Sequence, residues 1–491
     1  MGTTHTAKTT SSPSFRGRDI WVMAVFFVCI LTIRTWGISS RFWLLEDQIR
    51  DWSIALRPFR DLPLVGPPTH VGGYTVGPAF YWILWLIRVT FGPWFQNLPH
   101  AGGIGQAAVQ SAADVLLLAA VWRRTQSVWV ALTTVVLVAT AAYDLCLSAI
   151  VWNPAMGTAL AKIAIALVLL DWHRGSALKI AVTAAVAWCA VHAYTGAIYV
   201  AVSVFAAMLA DPLVRADRRT AARHALIIAI VVGLLQVPYL IHQVSTGFRG
   251  SAMGAVSGSV ARILTGSAPP EFAKSRAGFV AAFSFIEVRP LPMPMTWSAW
   301  LLIGCSVIVA LRYWRDVTVL AITLLPAGAA IVGYSLFLAG VEPYYYLSLM
   351  PAVVLTVVLA VMAPPWRRLS RAVSVVLFIA ALALVPGRLA LAATLHRMPE
   401  YGLIVEQSRQ IVGRGIPMRA IHTEFTLPPT NDPEFVYRIL GGRIDPQSPW
   451  VGVITNHGVV YQRGGAQSVS SPRSAQAQGS GLKAHAHPRA S

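Results

Sequence analysis

Four carboxylates lie in the segment from Ser40 to Trp82, directly after the first long apolar run of the chain: Glu46, Asp47, Asp51 and Asp61. They are four of only 20 acidic residues in a 491-residue chain that is 56% hydrophobic and 12% charged. Acids next to a membrane are costly unless they bind a cation, a basic partner or a polar substrate. We therefore expect an active site in this segment.

Asp47 has two chemical roles open to it. It is predicted to act as a general base that deprotonates an acceptor hydroxyl, or to bind a hard cation together with Asp144. A helix N-cap, or a salt bridge to Arg50 or Arg57, is the purely structural alternative. Asp51 follows four residues after Asp47 and would share a helical face with it if residues 45–57 form a short helix. Arg50 is placed to contact a phosphate.

Polar residues elsewhere on the predicted outer face are candidates for substrate contact. His70 lies in a turn rich in Gly and Pro, and His192 and Tyr194 lie in a tight turn between two apolar runs. Arginine can clamp a phosphate through bidentate hydrogen bonds. The long segment 243–296 offers five cations for this role: Arg249, Arg262, Lys274, Arg276 and Arg289. Ordinary solvation of a loop is the alternative for all of them.

Polar residues also interrupt or end the apolar runs. Tyr345 lies in a Tyr-Tyr-Tyr run and is predicted to line an acceptor cleft, with an aromatic belt as the alternative. Asp114 and Lys162 lie inside apolar runs, where a charged side chain must face a polar partner. Arg34 lies near the end of the first run and is expected to extend its charge towards water.

The apolar runs predict an all-α polytopic membrane protein with about eleven transmembrane helices and helices in its outer loops. The runs are 19–38, 104–121, 127–145, 156–171, 178–192, 194–210, 222–241, 297–311, 317–339, 346–363 and 371–394. Most Lys and Arg lie in short loops between runs, which places those loops in the cytoplasm. Val76–Gly92 then lies at the outer surface without crossing the membrane. The net charge of +19 thus reflects topology and not nucleic-acid binding.

Composition divides the chain into four parts. Residues 1–18 form a disordered cytoplasmic tail, and 19–395 form the transmembrane domain, with outer loops at 40–92 and 243–296. Residues 396–463 form a small outer-face domain of α/β type, and the low-complexity stretch 464–491 is disordered. No Walker loop, HExxH or suitable GxSxG motif is present, which argues against nucleotide-driven and hydrolase activities. No internal repeat is present either, which weakens the case for a secondary transporter.

The pair Asp47-Gln48, followed by Asp51 and by LVGPPTHVGGYTVGPAFYWIL, resembles the first outer loop of the GT-C membrane glycosyltransferases. The similarity is greatest to the branch of the protein mannosyltransferases and the aminoarabinose transferase of lipid A. The resemblance implies that Asp47 is the catalytic base, that Glu46 supports it, and that Asp144 is the second outer acid. It also places Tyr81 in the aromatic segment beside the substrate.

What the resemblance implies for function is inverting transfer of one sugar from a polyprenyl-phosphate donor on the outer face of the membrane. The expected acceptor is an envelope glycan or lipid such as lipopolysaccharide, with a protein as the second choice. Some relatives bind a divalent metal ion and others need none, so Mg²⁺, Mn²⁺ or Zn²⁺ is a conditional cofactor, held by Asp47 and Asp144. We expect an integral protein of the bacterial inner membrane, with its site facing the periplasm or cell exterior. The alternative function is a transporter or flippase for a lipid-linked sugar.

Overall fold

The computed structural model is mostly helical over the described residues up to position 395. It describes residues 17–69, 72–248, 252–277, 295–337, 342–362, 367–395, 400–424 and 433–463. Helices α1 to α9 span Gly17–Thr35, Ile38–Arg41, Glu46–Ala55, Ala79–Phe91, Pro99–Thr125, Val128–Ala139, Ala142–Ser148, Asn153–Leu169 and Ala177–Ala193. Helices α10 to α17 span Ile198–Val214, Arg218–Ser245, Ala252–Leu264, Met295–Arg312, Val317–Thr323, Leu325–Ser335, Met350–Val361 and Arg367–Leu395.

Seven helical segments in the described part of the chain are long and apolar enough to cross a membrane. They are Asp19–Arg41, Pro99–Thr125, Thr195–Val214, Arg218–Ser245, Val317–Ser335, Tyr344–Val361 and Ala372–Thr394. An eighth is formed if α6 and α7, which meet at an angle of 62°, count as one broken span. Three shorter apolar helices, Asn153–Leu169, Ala177–Ala193 and Trp300–Arg312, occupy the remaining predicted runs. The polytopic helical fold is therefore confirmed.

The segment Val76–Gly92, predicted to lie at the surface, contains the 13-residue helix α4 and is not among the candidate spans. The predicted turn at His192 is also present, because α9 ends at Ala193 and α10 begins at Ile198 after one 3₁₀ turn. The long segment 243–296 is partly helical: α12 occupies its first half and residues 272–277 are helical as well.

Helix α5 organises the part of the bundle that carries the predicted site. It begins with Pro99 in its first turn, a position where the missing N–H costs nothing. It packs against α1, α4, α6 and α8. A side chain at Gly102 would lie 2.6 Å from the Trp52 ring, so glycine is required where α3 crosses α5. Gly102 of α5 thus lets α3, the helix that bears Asp47, pack closely against it.

A second compact unit begins at Val405, inside the helix that starts at Glu400. Helix α18 spans Glu400–Gly413, α19 spans Pro433–Ile439, and three strands span Ala420–Thr423 (β1), Trp450–Thr455 (β2) and Gly458–Arg463 (β3). Strand β1 pairs in parallel with β2, and β2 pairs antiparallel with β3. The α/β character expected of the C-terminal segment is confirmed.

Candidate active site

Helix α3 presents Asp47 to solvent and buries Asp51. The Asp47 side chain is 53% exposed, and Nη1 of Arg50 lies 2.7 Å from its Oδ1. The Nε of the same arginine donates to Oδ1 of Asp51 at 2.9 Å, and the Tyr81 hydroxyl donates to that oxygen at 2.9 Å. One arginine therefore joins an accessible carboxylate to a buried one.

The environment of Asp51 differs from the one expected for a substrate-binding residue. Its side chain is fully buried, and burial raises its pKa to about 6 against the opposing attraction of Arg50. Burial also raises the pKa of Tyr81. The two residues form a packed hydrogen-bonded pair under Arg50, so their role in this arrangement is to position the arginine. Asp47 and Asp51 both bind Arg50, as residues that share a helical face can. Only Asp47 of the two is exposed to solvent.

Uncharged contacts fix α3 to its surroundings. Gln48 is buried, accepts a hydrogen bond from the Leu45 amide at 3.1 Å, and donates to the Val151 carbonyl at 3.2 Å. The indole N–H of Trp52 donates to the Asn97 carbonyl at 2.7 Å. The two residues of the Asp-Gln pair therefore differ in environment: Gln48 is buried and anchors the helix, whereas Asp47 is accessible to solvent.

A packed group of aromatic side chains contains one, Tyr344, that the charge of Asp47 influences. The carboxylate is within electrostatic range of the Tyr344 phenol. The Tyr344 ring packs 5.0 Å from Trp152 and 4.8 Å from Tyr345, measured between ring centroids. All three aromatic residues are partly exposed. Rings beside an acid suit a sugar, because the apolar face of the sugar can stack on them while its hydroxyls bind the carboxylate.

His192 is buried and positions the first loop instead of facing it as a ligand. Its Nε2 lies 2.9 Å from Oε1 of Gln236, which also accepts from the Trp188 indole. The Gln236 amide nitrogen donates to the Val76 carbonyl at 3.0 Å. This orientation of Gln236 requires the proton of His192 to be on Nε2. A Cβ at Gly77 would overlap the His192 ring, so the loop lies directly against it.

The structure places Asp144 in a buried ion-pair network that the sequence did not predict. Arg34 contacts Asp144 and lies 2.7 Å from Asp114; Lys162 lies 2.9 Å from Asp114 and 3.0 Å from Asp144. All four side chains have no exposed surface, and each comes from a different helix: α1, α5, α7 or α8. Two positive and two negative charges cancel. Arg34 therefore does not extend to water, and the Asp144 carboxylate is held between Arg34 and Lys162.

The predicted metal pair does not fit this geometry. Both carboxylate oxygens of Asp144 are already within 3.1 Å of the Lys162 ammonium, and one also binds Arg34. A metal would have to displace two cations from a sealed site. Among the described residues, no cluster of three or more His, Cys, Asp and Glu has the arrangement of a metal site.

The remaining predicted residues differ in where they lie. His70, Arg249 and Arg289 fall outside the described residues. Arg276 and Arg262 are exposed, and Lys274 is paired with Glu271 at 2.7 Å. Tyr194 is buried, and its hydroxyl lies 3.5 Å from the Tyr344 carbonyl. Glu46 is exposed at the start of α3, beside Asp47. Sequence reasoning missed Gln236, although a glutamine inside an apolar run was a visible signal of a buried polar contact.

No family model and no curated protein matches the sequence. Solved structures do match. The apo crystal structure of ArnT from Cupriavidus metallidurans is 13% identical, with a TM-score of 0.53 over 87% of this chain and 86% of that one. The chain has the GT-C fold. ArnT bound to undecaprenyl phosphate gives a TM-score of 0.46 at 13% identity, over 86% of this chain and 85% of that one.

A further structural match is the archaeal oligosaccharyltransferase AglB from Archaeoglobus fulgidus, in complex with an inhibitory peptide and a dolichol-phosphate. It is 15% identical, with a TM-score of 0.44 over 80% of this chain and 58% of that one. The resemblance found in the first loop and the match to apo ArnT agree on the GT-C fold, although they rest on different observations: a short motif and the course of the whole backbone.

Proposed function

We propose that this protein is a membrane glycosyltransferase that transfers a sugar from a polyprenyl-phosphate donor to an envelope glycan, lipid or protein acceptor. The observation that carries the proposal is the half-exposed carboxylate of Asp47 on a helix that is otherwise locked by buried contacts. The GT-C fold supports it. The site faces the periplasm or cell exterior, and the membrane is the bacterial inner membrane.

The proposed reaction needs one base and one cation. Asp47 takes the proton of the acceptor hydroxyl while that oxygen attacks the anomeric carbon. The bond from the anomeric carbon to the phosphate oxygen breaks with inversion, and its electron pair leaves on the polyprenyl phosphate. Arg50, whose side chain is 31% exposed, lies within reach of Asp47 and can stabilise the charge on the leaving phosphate. Tyr344 and Trp152 give the sugar an apolar surface on which to stack.

The test is sugar transfer in nanodiscs from a panel of radiolabelled polyprenyl-phosphate sugars to an envelope-lipid extract. Asp47→Asn keeps the shape of the side chain and removes the base, so we expect transfer to fall by about 10²–10⁴-fold. Asp61→Asn is the matched control, because Asp61 is an acid of the same loop with a side chain 51% exposed. Transfer that survives Asp47→Asn, or falls equally in both variants, would contradict the assignment.

A flippase or transporter for a lipid-linked sugar is the second candidate. The four charged residues buried in the bundle favour it, since charged groups inside spans often mark a transport path. Their complete burial and charge balance argue against it, because a path needs water or substrate to reach them. Flipping of a fluorescent lipid-linked sugar in proteoliposomes, without transfer in the nanodisc assay, would favour this candidate over the enzyme.

A further inference from the structure

A cavity of about 390 Å³ lies at the end of the bundle opposite to Asp47. Helices α5, α8 and α10 begin beside the candidate site, where Gly102, Trp152 and Tyr194 contact or adjoin it. Helix α5 has 27 residues, which places its far end about 40 Å away. The cavity is lined by the C-terminal ends of α5 and α10, the loop after α8, and the connection between α13 and α14. The concentration of basic residues there assigns this end to the cytoplasm.

Arginine dominates the lining of the cavity. Five arginines from four segments of the chain converge on it: Arg124, Arg174, Arg215, Arg312 and Arg315. A single arginine at the end of a span is expected from the rule that sets topology. Five around one concave space exceed what topology requires, and each guanidinium offers several N–H donors in a fixed plane.

Three of these arginines are held by acids. Arg124 lies 3.1 Å from Asp171 and donates to Asp316 at 2.6 Å. Asp211 binds both Arg174, which donates to it at 2.7 Å, and Arg215. These ion pairs cross-link the loops that form the wall and thereby give the cavity a fixed shape.

The other two arginines supply the excess charge. Within the described residues, neither Arg312 nor Arg315 makes an ion pair, and both line the cavity. Five arginines against three aspartates leave two positive charges without a partner of opposite sign. Arg315 packs over the Trp314 ring at 4.5 Å from its centroid, which holds the guanidinium against another side chain that lines the cavity.

The rim of the cavity is apolar. Trp314 and Val214 line the cavity and are 63% and 66% exposed; Leu311, directly before the lining residue Arg312, is 72% exposed. Exposed apolar and indole side chains next to arginine are typical of the membrane interface, where the side chains lie among lipid tails and the charges lie among headgroups. Water-soluble phosphate would gain nothing from this rim, whereas a lipid would use both parts.

We propose that this cavity binds the headgroup phosphate of an anionic phospholipid of the cytoplasmic leaflet, through Arg312 and Arg315. The lipid tails lie against Leu311, Val214 and Trp314. The bound lipid joins the loop after α13 to the end of α10, because its phosphate binds Arg312 and Arg315 while its tails lie against Val214.

The test uses the full-length protein in detergent and native mass spectrometry with phosphatidylglycerol. Arg312→Gln/Arg315→Gln removes the two unpaired charges. Arg218→Gln/Arg219→Gln is the matched control, since it removes two exposed arginines at the same end of the bundle that do not line the cavity. We expect about 30-fold weaker lipid binding in the cavity variant, which is about 2 kcal/mol at 1.4 kcal/mol per tenfold, and wild-type binding in the control.

Two further arms identify the source of the phosphate. Phosphatidylcholine should bind much more weakly than phosphatidylglycerol, and inorganic phosphate should not displace the lipid. Equal losses in the two variants, no loss in either, or displacement by inorganic phosphate would overturn the proposal. If the glutamine pair does not fold, Arg312→Lys/Arg315→Lys retains the charge and is expected to bind more weakly than wild type, because lysine cannot make a bidentate contact. Wild-type binding by that variant would overturn the bidentate contact.

Discussion

Removing the ammonium of Lys162 should destabilise the protein more than any exposed charge change. In the folded protein its Nζ lies 2.9 Å from Asp114, 3.0 Å from Asp144 and 3.0 Å from the Gln110 amide oxygen. Lys162→Met leaves two buried carboxylates with Arg34 as their only cation, a net buried charge of −1. Breaking a buried ion pair by removing one partner costs about 3–5 kcal/mol. We expect the free energy of unfolding to fall by that amount.

A charge-balanced second variant tests the reason for the loss. Lys162→Met/Asp114→Asn leaves Arg34 and Asp144 as a neutral pair, so the two losses should not add, and the double variant should be at least as stable as Lys162→Met alone. SDS titration in mixed micelles measures the free energies of unfolding. Arg60→Gln is the control, because the Arg60 side chain is 87% exposed and its pair with Asp61 spans 3.7 Å; it should change stability by less than about 1 kcal/mol. A Lys162→Met loss no larger than this control, or full additivity in the double variant, would refute the reasoning.

Three further predictions concern the first loop. Gly77→Ala should destabilise the protein by about 1–3 kcal/mol, because the new methyl group overlaps the His192 ring, whereas Gly254→Ala in open space should not; thermal unfolding in detergent compares them. The Asp51 pKa is raised from 3.8 to about 6, so the protonated carboxyl stabilises the folded protein by roughly 3 kcal/mol. This contribution is present below about pH 4 and is lost as the pH rises through about 6. Asp51→Asn should flatten this part of the plot of stability against pH, and an unchanged slope would contradict the prediction. Gln48→Ala leaves the buried Val151 carbonyl without its hydrogen bond and should lower the free energy of unfolding by about 1–3 kcal/mol. It should also reduce transfer, measured on the same preparation. Unchanged stability and transfer would exclude an anchoring role.

Local patterns predicted the elements of the fold well. The short helix considered for residues 45–57 spans Glu46–Ala55, and the turn expected at His192 lies between Ala193 and Ile198. Both follow from short-range chemistry: residue spacing for the helix and the length of apolar runs for the turn. The mixed α/β character of the C-terminal segment follows from the same kind of signal.

Partnerships between distant residues could not be predicted in this way. Asp114 and Lys162 were recognisable as charges inside apolar runs, but nothing local indicated that they pair with each other, with Arg34, and with Asp144. Arg34 and Asp144 are 110 positions apart, and Gln236 reaches the Val76 carbonyl across 160 positions. Which acid is buried and which is exposed depends on these contacts. For that reason Asp47 and Asp144, equal in the sequence, lie in opposite environments in the structure.

Because these environments differ, the same change from aspartate to asparagine should have a different effect at each of three positions. Asp47→Asn changes a carboxylate whose helix is fixed by uncharged groups, Gln48 and Trp52, so it should abolish transfer and leave thermal stability near that of the wild type. Asp144→Asn leaves a buried charge of +1 shared by Arg34 and Lys162, so it should cost about 3–5 kcal/mol and reduce transfer only through loss of folded protein. Asp61→Asn should do neither. Transfer per folded molecule, measured on size-exclusion-purified protein, separates these outcomes. A catalytic Asp144 would instead give an inactive but stable variant, and that result would restore it to the active site.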